Sequence, residues 1–328
     1  MYKIAIIAGG DSGEYEVSLR TADNIFQMVD KQLFEPYLIH FRGVEWTWKR
    51  EDGAIVPVDK NDFSLTVDGK KICFDVAFIA IHGTPGENGK LQSYFEMIGM
   101  PYTGCSSFSS ALTFNKYFCN LAVAKVGVPI APSLHFYRND AIDYGQIAQV
   151  CGYPCFVKAC NSGSSVGVTK VHHAEEVAAA FAEAFKYDNQ LMVEKFIRGR
   201  EMTCGVTSVY GKVQTLAVTE VVASNEFYDY DAKYSAVGHK LLTPADIPAE
   251  EQHLLENYAE SIFHHLDCKG VVRCDFIISE EDRIPYFLEI NTIPGQTALS
   301  IIPEQVRYNS LNLSEFYTKL IMEAFQES

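Results

Sequence analysis

Short apolar runs alternate with segments of helical spacing along most of the chain, and this alternation limits the folds open to it. In the N-terminal third the predicted strands are YKIAIIA, PYLIHF and FDVAFIAI. The predicted helices there are VSLRTADNIFQMVD and LQSYFEMIG, the second ended by Gly99 and Pro101. A helix over 115–126, the strand YPCFVKA and an Ala-rich helix over 175–186 follow. Such alternation is typical of an α/β architecture.

The rest of the chain is predicted to be mixed. The strands LMVEKFI, MTCGVTSVY and VQTLAVTEVV precede a helix, a hairpin and a final helix. The first of these helices carries Leu255, Tyr258, Ile262 and Leu266 on one face. A chain of 328 residues exceeds the size at which a single core stops growing, so two or three domains are expected.

Two segments near the C-terminus, VVRCDFII and PYFLEINTIPG, are joined by the polar turn SEEDR and are predicted to form the hairpin. Side chains alternate between the faces of a strand. The first segment then divides into a polar and an apolar face: Arg273 and Asp275 against Val272, Cys274, Phe276 and Ile278. The second divides in the same way: Phe287, Glu289 and Asn291 against Tyr286, Leu288 and Ile290. A turn centred on Asp282 sets Asp275 opposite Glu289 and also packs Phe276 against Leu288.

This register gathers Asp275, Glu289 and Asn291 on one face. Two carboxylates and an amide oxygen are hard ligands suited to Mg²⁺, which also keeps waters and binds substrate phosphates. Phosphoryl transfer is therefore the predicted chemistry. The alternative is a surface hairpin with scattered charges.

Composition narrows the class of protein. Hydrophobic residues make up 48 per cent of the chain and aromatic residues 12 per cent, which excludes a disordered chain. The formal charge of −15 argues against binding to nucleic acid or to an anionic membrane. A nucleotide site must therefore supply its own cationic groups. The start, MYKIAIIAGGDSGE, is predicted to be a strand rather than a signal peptide, and no apolar run approaches membrane-spanning length.

The nine cysteines are an odd number and include no C-x-x-C pair. Several, such as Cys73, Cys155 and Cys274, lie inside apolar runs. This pattern predicts reduced, buried thiols in a cytoplasmic protein.

A Ser/Gly loop, CNSGSSVGV, follows Lys158. Small residues let backbone N–H groups approach phosphate oxygens, and a neighbouring Lys neutralises charge. The loop lacks the G-x-x-x-x-G-K-[ST] pattern, so a P-loop NTPase is not supported. An ordinary turn remains the alternative.

Eight motifs together resemble one family, the D-alanine:D-alanine ligases of the ATP-grasp superfamily, and they stand in family order. They are AGGDSGEYEVS, IHGTPGENG, TFNK, VKACNSGSSVGV, VEKFIRGRE, FYDYDAKY, VVRCDF and EINTIPGQTALS. The resemblance implies an α/β ATP-grasp fold with three domains: an N-terminal parallel-sheet domain over 1–104, a central domain over 105–198 and a C-terminal domain over 199–328. The nucleotide would lie between the last two. In this family ATP phosphorylates the carboxylate of one D-alanine, and the amine of a second D-alanine attacks the acyl phosphate.

The resemblance also assigns residues to the nucleotide and its metal ions. Lys116, Lys158 and the loop residue Ser165 would contact ATP phosphates, and Glu201 the ribose. The adenine edge would be formed by Glu194, Lys195, Phe196 and Ile197. Two Mg²⁺ ions, for which Mn²⁺ is expected to substitute, would be bound by Asp275, Glu289 and Asn291.

On the amino-acid side, the family pattern implies that Glu14 receives the ammonium of the first D-alanine in a triad with Ser164 and Tyr234. Arg273 and the Gly295 N–H would stabilise the oxyanion of the tetrahedral intermediate. The remaining assignments, to the transferred phosphate and the second D-alanine, are Lys233, Ser300, Ile301 and His82. Structural alternatives stay open for single residues: Glu14 as a helix N-terminal acid, Ser164 as a turn serine and His82 as a satisfied histidine.

The segment FYDYDAKY is the expected lid, which would exclude water from the acyl phosphate. Three positions depart from the family pattern. Tyr15 stands where His or Arg is usual, Ala159 where Pro commonly follows the phosphate Lys, and Gln296 where Met is usual in the final motif. The family implies a cytoplasmic homodimer that binds ATP and two D-alanine molecules.

Three competing classes of protein are each distinguished from this chain by one sequence feature. Another ATP-grasp ligase would lack the triad of Glu14, Ser164 and Tyr234. A nicotinamide-dependent dehydrogenase needs G-x-G-x-x-G after its first strand, where this chain has GGDSGE. A regulatory nucleotide-binding module would have lost its metal ligands.

Overall fold

The computed structural model describes residues 1–163, 166–223 and 239–326. Its strands form three sheets of seven, four and five strands that follow one another along the chain. Helices lie against each sheet, so the predicted α/β class is confirmed.

The first sheet has the order β6-β5-β4-β3-β2-β1-β7. Its strands are β1 (Tyr2–Gly9), β2 (Phe34–Arg42), β3 (Glu45–Lys49), β4 (Ile55–Asp59), β5 (Ser64–Val67), β6 (Lys70–Ile72) and β7 (Val76–Ile79). The three predicted strands, β1, β2 and β7, pair in parallel as expected. The sheet as a whole is mixed, because β2 to β6 form an antiparallel meander. The links in this meander are too short for the crossover that parallel pairing requires.

Two helices follow strands of the first sheet: α1 (Tyr15–Met28) and α2 (Lys90–Ile98). Helix α2 ends as predicted at Gly99, which adopts a left-handed conformation with φ 67°. Helix α1 begins two residues before the predicted segment VSLRTADNIFQMVD.

The second sheet has the order β10-β9-β11-β8. Its strands are β8 (Ser133–Tyr137), β9 (Cys155–Ala159), β10 (Val168–Val171) and β11 (Gln190–Lys195), and all pairs are antiparallel. Helices α5 (Tyr144–Val150) and α6 (Val177–Ala184) pack on this sheet. Helices α3 (Ser107–Phe114) and α4 (Lys116–Ala124) precede it in the chain and pack on the last strand of the third sheet. The predicted helix over 175–186 corresponds to a short 3-10 turn followed by α6.

The third sheet has the order β14-β13-β12-β15-β16, again antiparallel. Its strands are β12 (Gly199–Thr207), β13 (Gln214–Ala223), β14 (His239–Leu242), β15 (Val271–Ser279) and β16 (Pro285–Asn291). The last helices are α7 (Ala249–His265), α8 (Ile301–Tyr308) and α9 (Leu313–Gln326). Leu255 and Ile262 of α7 are buried in the core beneath this sheet, as their spacing predicts.

The C-terminal helix α9 packs on the first sheet as well as against the third. Its side chains Phe316, Tyr317 and Leu320 share a core with Ile4 and Phe78. The rings of Phe78 and Tyr317 meet edge to face with centroids 6.0 Å apart. The two ends of the chain are thus held in one apolar core.

The hairpin formed by β15 and β16 confirms the predicted pairing of Asp275 with Glu289. The predicted packing of Phe276 against Leu288 is wrong, because the register shifts after Asp275 and Phe276 lies opposite Phe287. Leu288 is the extra residue of this irregularity. A bulge of one residue reverses the alternation, so Phe287 enters the apolar core and not the polar face predicted for it.

Burial confirms the predicted state of most cysteines. All nine are free, and eight are buried. Cys73 is exposed, so its predicted burial is wrong; it follows the short edge strand β6. Within the described ranges, no helix combines the length and apolarity that crossing a bilayer requires.

Candidate active site

Two cavities meet beside the hairpin. The larger, of about 660 Å³, is lined on one side by Glu14, His82, Asn291, Gly295 and Ser300. The smaller, of about 480 Å³, is lined by Lys158, Phe196, Ile197, Glu201 and Asp275. The residues common to both are Lys116, Arg273, Leu288, Glu289 and Ile301. Most of the predicted site residues that the structure describes are therefore brought together around one junction.

Asp275 is held in place by three side chains, one on its own strand β15 and one on each of the neighbouring strands β12 and β16. Thr203 Oγ1 donates to Asp275 Oδ1 at 2.6 Å. Arg273 Nε donates to Oδ1 at 2.9 Å and its Nη2 to Oδ2 at 2.7 Å. Asn291 Nδ2 donates to Oδ2 at 3.1 Å. Charge-assisted and bidentate bonds of this kind fix the orientation of a carboxylate.

The chemistry of this donor set fits magnesium. Glu289 lies directly across the strands from Asp275. Because Asn291 uses its amide N–H on Asp275, its oxygen remains its acceptor atom. The described part of the chain contains no group of three or more His, Cys, Asp or Glu arranged for a metal. An ion held here would complete its shell from water and phosphate, as magnesium does.

Two lysines place positive charge at the junction. Asn115 caps α4 by accepting from the Phe118 N–H at 3.1 Å, which puts Lys116 in the first turn. Lys116 Nζ donates to Ser162 O at 2.6 Å and lies 3.5 Å from Glu289 Oε2. Lys116 thus contacts both the Ser/Gly loop and Glu289.

Lys158, on β9, forms an ion pair with Glu194 on the neighbouring strand β11. The Nζ to Oε2 distance is 2.5 Å, and Glu194 is only 2 per cent exposed. Asn120 Nδ2 also donates to Glu194, at 3.3 Å. The predicted position of Glu194 at the adenine edge is therefore a buried one, behind the cation.

Of the four predicted adenine-edge residues, Phe196 and Ile197 are the ones that line a described cavity. They come directly after β11. The Phe196 ring lies 5.8 Å from that of Phe156, and Lys170 Nζ lies 4.1 Å from its centre. Lys195 is exposed on the strand. Aromatic and aliphatic walls of this kind suit a planar base.

Glu14 occupies the position before α1 and makes no side-chain capping bond. Its place at the helix N-terminus agrees with the structural alternative of an acid favoured by the helix dipole. Its carboxylate lies close to two loops: a Cβ added at Gly163 would meet Oε2 at 3.1 Å, and one at Gly83 at 3.5 Å. Four other predicted residues lie outside the described residues: Ser164, Ser165, Lys233 and Tyr234, with the segment FYDYDAKY that contains the last two.

His82 has both ring nitrogens engaged. Nδ1 lies 2.8 Å from Ile293 O, and Nε2 lies 2.9 Å from Thr21 Oγ1. A carbonyl accepts only, so Nδ1 carries the proton and Nε2 accepts from Thr21. Burial lowers the pKa of His82, which keeps the ring neutral. This arrangement agrees with the structural alternative for His82, although the residue lines the larger cavity.

Glu87 is a residue of this cavity that the sequence reasoning missed. It accepts from the Gly83 N–H at 2.7 Å and from the Ile293 N–H at 3.3 Å. Burial, with a further contribution from Glu14, raises its pKa to about 7. The available signal was an acid five residues after His82 in the motif IHGTPGENG.

The loop before α8 is tightly packed. A Cβ at Gly295 would meet Ser300 Oγ at 2.9 Å. Ser300 Oγ accepts from the Thr297 N–H at 3.0 Å. Gln296 is buried and lines neither of the two cavities; its Oε1 accepts from the Tyr317 hydroxyl at 3.3 Å. The departure from the family pattern at Gln296 thus bears on the attachment of α9.

Ala159, which stands where the family commonly has proline, makes a backbone hydrogen bond across the Ser/Gly loop. Its N–H donates to Gly167 O at 3.1 Å. A proline at this position would lack that donor.

The fold and the site define the class of protein. Two antiparallel sheets bear cationic side chains, an apolar base-sized wall and a carboxylate pair around one junction, which is the arrangement of an ATP-grasp protein. The chain matches the family models described as D-ala D-ala ligase N-terminus over residues 3–105 and D-ala D-ala ligase C-terminus over residues 122–322. It belongs to the D-alanine–D-alanine ligase family.

Relatives agree over nearly the whole length. The D-alanine--D-alanine ligase of Parabacteroides distasonis is 44 per cent identical, over 97 per cent of this chain and 96 per cent of its own. That of Phocaeicola vulgatus is 41 per cent identical, over 98 and 99 per cent.

Two crystal structures have closely similar folds. D-alanyl-alanine synthetase A from Vibrio cholerae has a TM-score of 0.90 and 32 per cent identity, with 99 per cent of both chains covered. The VanG D-Ala:D-Ser ligase from Enterococcus faecalis has a TM-score of 0.89 and 32 per cent identity, covering 98 per cent of this chain and 99 per cent of its own. The second substrate therefore varies among proteins with this fold.

Proposed function

We propose that the protein uses ATP to join two D-alanine molecules into D-alanyl-D-alanine through an acyl phosphate, releasing ADP and phosphate. The product would serve peptidoglycan precursor synthesis. The observation that carries this proposal is the junction of the two cavities at Lys116, Arg273 and Glu289. A nucleotide in the smaller cavity would present its terminal phosphate there to a carboxylate in the larger one.

The proposal includes a division of the chain and a setting for it. Domains over 1–104, 105–198 and 199–328 would each contain one of the three sheets. ATP would bind between the second and third. We also assign the protein to the cytoplasm and expect a homodimer with no nucleic-acid or membrane partner.

On the nucleotide side, Lys116, Lys158 and the Ser/Gly loop with Ser165 would hold the phosphates, with Glu201 on the ribose. The base would lie against the adenine edge, whose assigned residues are Glu194, Lys195, Phe196 and Ile197. Asp275, Glu289 and Asn291 would hold two Mg²⁺ ions, or Mn²⁺ in their place. Bound there, the metal neutralises charge on the phosphates.

On the amino-acid side, Glu14 would bind the ammonium of the first D-alanine, supported by Ser164 and Tyr234. This aligns its carboxylate with the terminal phosphate. Arg273 and the Gly295 N–H would stabilise the oxyanion that forms when the second amine attacks. The second carboxylate and the departing phosphate would be held by Ser300, Ile301 and Lys233, with His82 as a neutral wall.

A phosphate-release assay with D-alanine, L-alanine, D-serine and D-lactate tests the proposal. Of the four compounds supplied singly, we expect phosphate release only with D-alanine. Mass spectrometry should then show D-alanyl-D-alanine as the main product. D-serine belongs in the panel because the similar VanG structure is a D-Ala:D-Ser ligase. A mixed dipeptide formed in preference from D-alanine and D-serine would overturn the assignment of the second substrate.

Replacing Glu289 with glutamine should lower turnover by roughly a hundredfold or more, because one of the two carboxylates that would hold the metal is lost. The fold should persist, since the side chain is 31 per cent exposed. Steady-state ADP formation at saturating Mg²⁺ measures the effect. Glu183→Gln, at an exposed pair with Lys186, is the control and should keep full activity. Near-normal turnover of Glu289→Gln would contradict the metal assignment.

A further inference from the structure

A buried glutamine on α8 completes the backbone of the third sheet at an irregular point. The register of β12 with β13 shifts between Cys204 and Val206. Gly205 lies at this shift, and its N–H donates to Gln305 Oε1 at 3.0 Å. Gln305 is 0 per cent exposed. Its carboxamide thus satisfies a backbone donor at a point where the ladder is interrupted.

The other end of the same carboxamide holds β12 again. Gln305 Nε2 donates to Thr203 O at 3.3 Å and to Thr219 Oγ1 at 3.0 Å. The Gly205 N–H requires an oxygen and the Thr203 carbonyl requires a donor, so the orientation of the amide is determined. All its polar atoms are used inside the protein, which restricts the side chain to one position.

Thr203 connects this amide to the candidate metal site. Its carbonyl accepts from Gln305, and its hydroxyl donates to Asp275 Oδ1 at 2.6 Å. Thr203 is 2 per cent exposed. A displacement of the β12 backbone here would move a hydroxyl that orients the Asp275 carboxylate.

We propose that Gln305 is a positioning residue for Asp275, acting through Thr203. This inference rests on the proposed function, which assigns Mg²⁺ to Asp275. Helix α8 begins directly after Ser300, so the element that would meet the second substrate also orients a metal ligand. Outer partners of metal ligands typically change metal affinity about 10-fold to 100-fold when removed.

Asn309, which directly follows the last residue of α8, offers a matched control. Its Nδ2 donates to Leu216 O on β13, at the same irregularity. Asn309 Nδ2 also donates to the main-chain oxygen of Gln305 at 2.9 Å. Asn309→Leu therefore removes an amide link between the end of α8 and β13 and leaves the bonds from the Gln305 side chain to β12 in place. If Mn²⁺ affinity fell only because α8 docked more loosely on the sheet, Asn309→Leu should lose affinity as Gln305→Leu does.

The test measures Mn²⁺ binding in the presence of ADP, from the electron paramagnetic resonance of free Mn²⁺. We expect Gln305→Leu and Thr203→Val each to weaken Mn²⁺ binding roughly tenfold. The double variant should bind Mn²⁺ about as tightly as the more affected single variant, because both changes interrupt one chain of contacts. Asn309→Leu should stay within about twofold of the wild type. Circular dichroism without metal checks folding, and Gln305→Met is a second variant should the leucine variant fail to fold.

Three outcomes would overturn the inference alone. The first is unchanged Mn²⁺ binding in Gln305→Leu. The second is a double variant in which the two losses of affinity multiply, and the third is an Asn309→Leu variant that binds Mn²⁺ as weakly as Gln305→Leu. A wild-type protein that binds no Mn²⁺, or unchanged binding in Glu289→Gln, would instead overturn the magnesium site and this inference with it. The two failures are therefore distinguishable.

Discussion

At the scale of single residues, Lys158 has two roles that can be separated: it neutralises the buried Glu194, and it is proposed to contact an ATP phosphate. Lys158→Ala would leave the buried Glu194 carboxylate with the hydrogen bond from the Asn120 amide but without the cation that lies 2.5 Å from it in the wild type. Breaking such a pair costs roughly 3 to 5 kcal/mol, and losing a contact to phosphate raises the KM for ATP roughly tenfold to a hundredfold. Lys158→Ala combined with Glu194→Gln should recover most of the stability but not the ATP affinity. Thermal unfolding and ATP titration measure the two effects.

Lys116→Ala is the matched comparison for that pair. Its partner Glu289 is 31 per cent exposed and 3.5 Å away. We expect a similar rise in the KM for ATP with a smaller loss of stability. An unchanged KM for ATP in both lysine variants would contradict their assignment to the phosphates.

The raised pKa of Glu87 predicts that the stability of the folded protein depends on pH. Its pKa in the folded protein, about 7, lies above its ordinary value of 4.5. The folded state therefore binds the proton more tightly, so the stability from protonated Glu87 is complete below pH 4.5 and is lost as pH rises through 7. Between about pH 5 and pH 8 the fall in Tm should be smaller for Glu87→Gln than for the wild type. Parallel calorimetric curves for the two proteins would refute this.

At the level of elements, the loop that leads into α8 tolerates little added volume. Gly295→Ala would place a Cβ 2.9 Å from Ser300 Oγ and displace the start of the helix. Overpacking of this kind costs about 1 to 3 kcal/mol, and we expect a rise in the KM for the second D-alanine with the KM for ATP unchanged. Initial rates across both substrates measure it. If the effect acts through Ser300, Gly295→Ala should add little in a Ser300→Ala background; full additivity would contradict this explanation.

At the level of the whole molecule, the first sheet depends on the last helix. Ile4 and Phe78 share their core with Tyr317 and Leu320 of α9. A fragment of residues 1–104 should therefore unfold at low denaturant concentration and expose apolar surface. Joining residues 311–326 to that fragment through a flexible linker should raise its urea midpoint. Circular dichroism follows the unfolding of the two fragments in urea. Equal midpoints would show that α9 contributes nothing to this core.

Local pattern was enough to predict much of this protein. Alternation along β15 and β16 correctly placed Asp275 opposite Glu289, and Gly99 correctly ended α2. The eight motifs led to the right family. These features depend on neighbours in the chain or on short spacings, and for that reason a single sequence contains them.

Tertiary structure decided what depends on packing between distant segments. The bulge at Leu288 turned Phe287 into the core, where it meets Phe276. Glu87 became a site residue because Ile293, far along the chain, donates to it. Gln305 acquired its place from Gly205, a hundred positions away. Side-chain alternation cannot indicate such contacts, because burial and hydrogen bonding across elements arise only when the chain has folded.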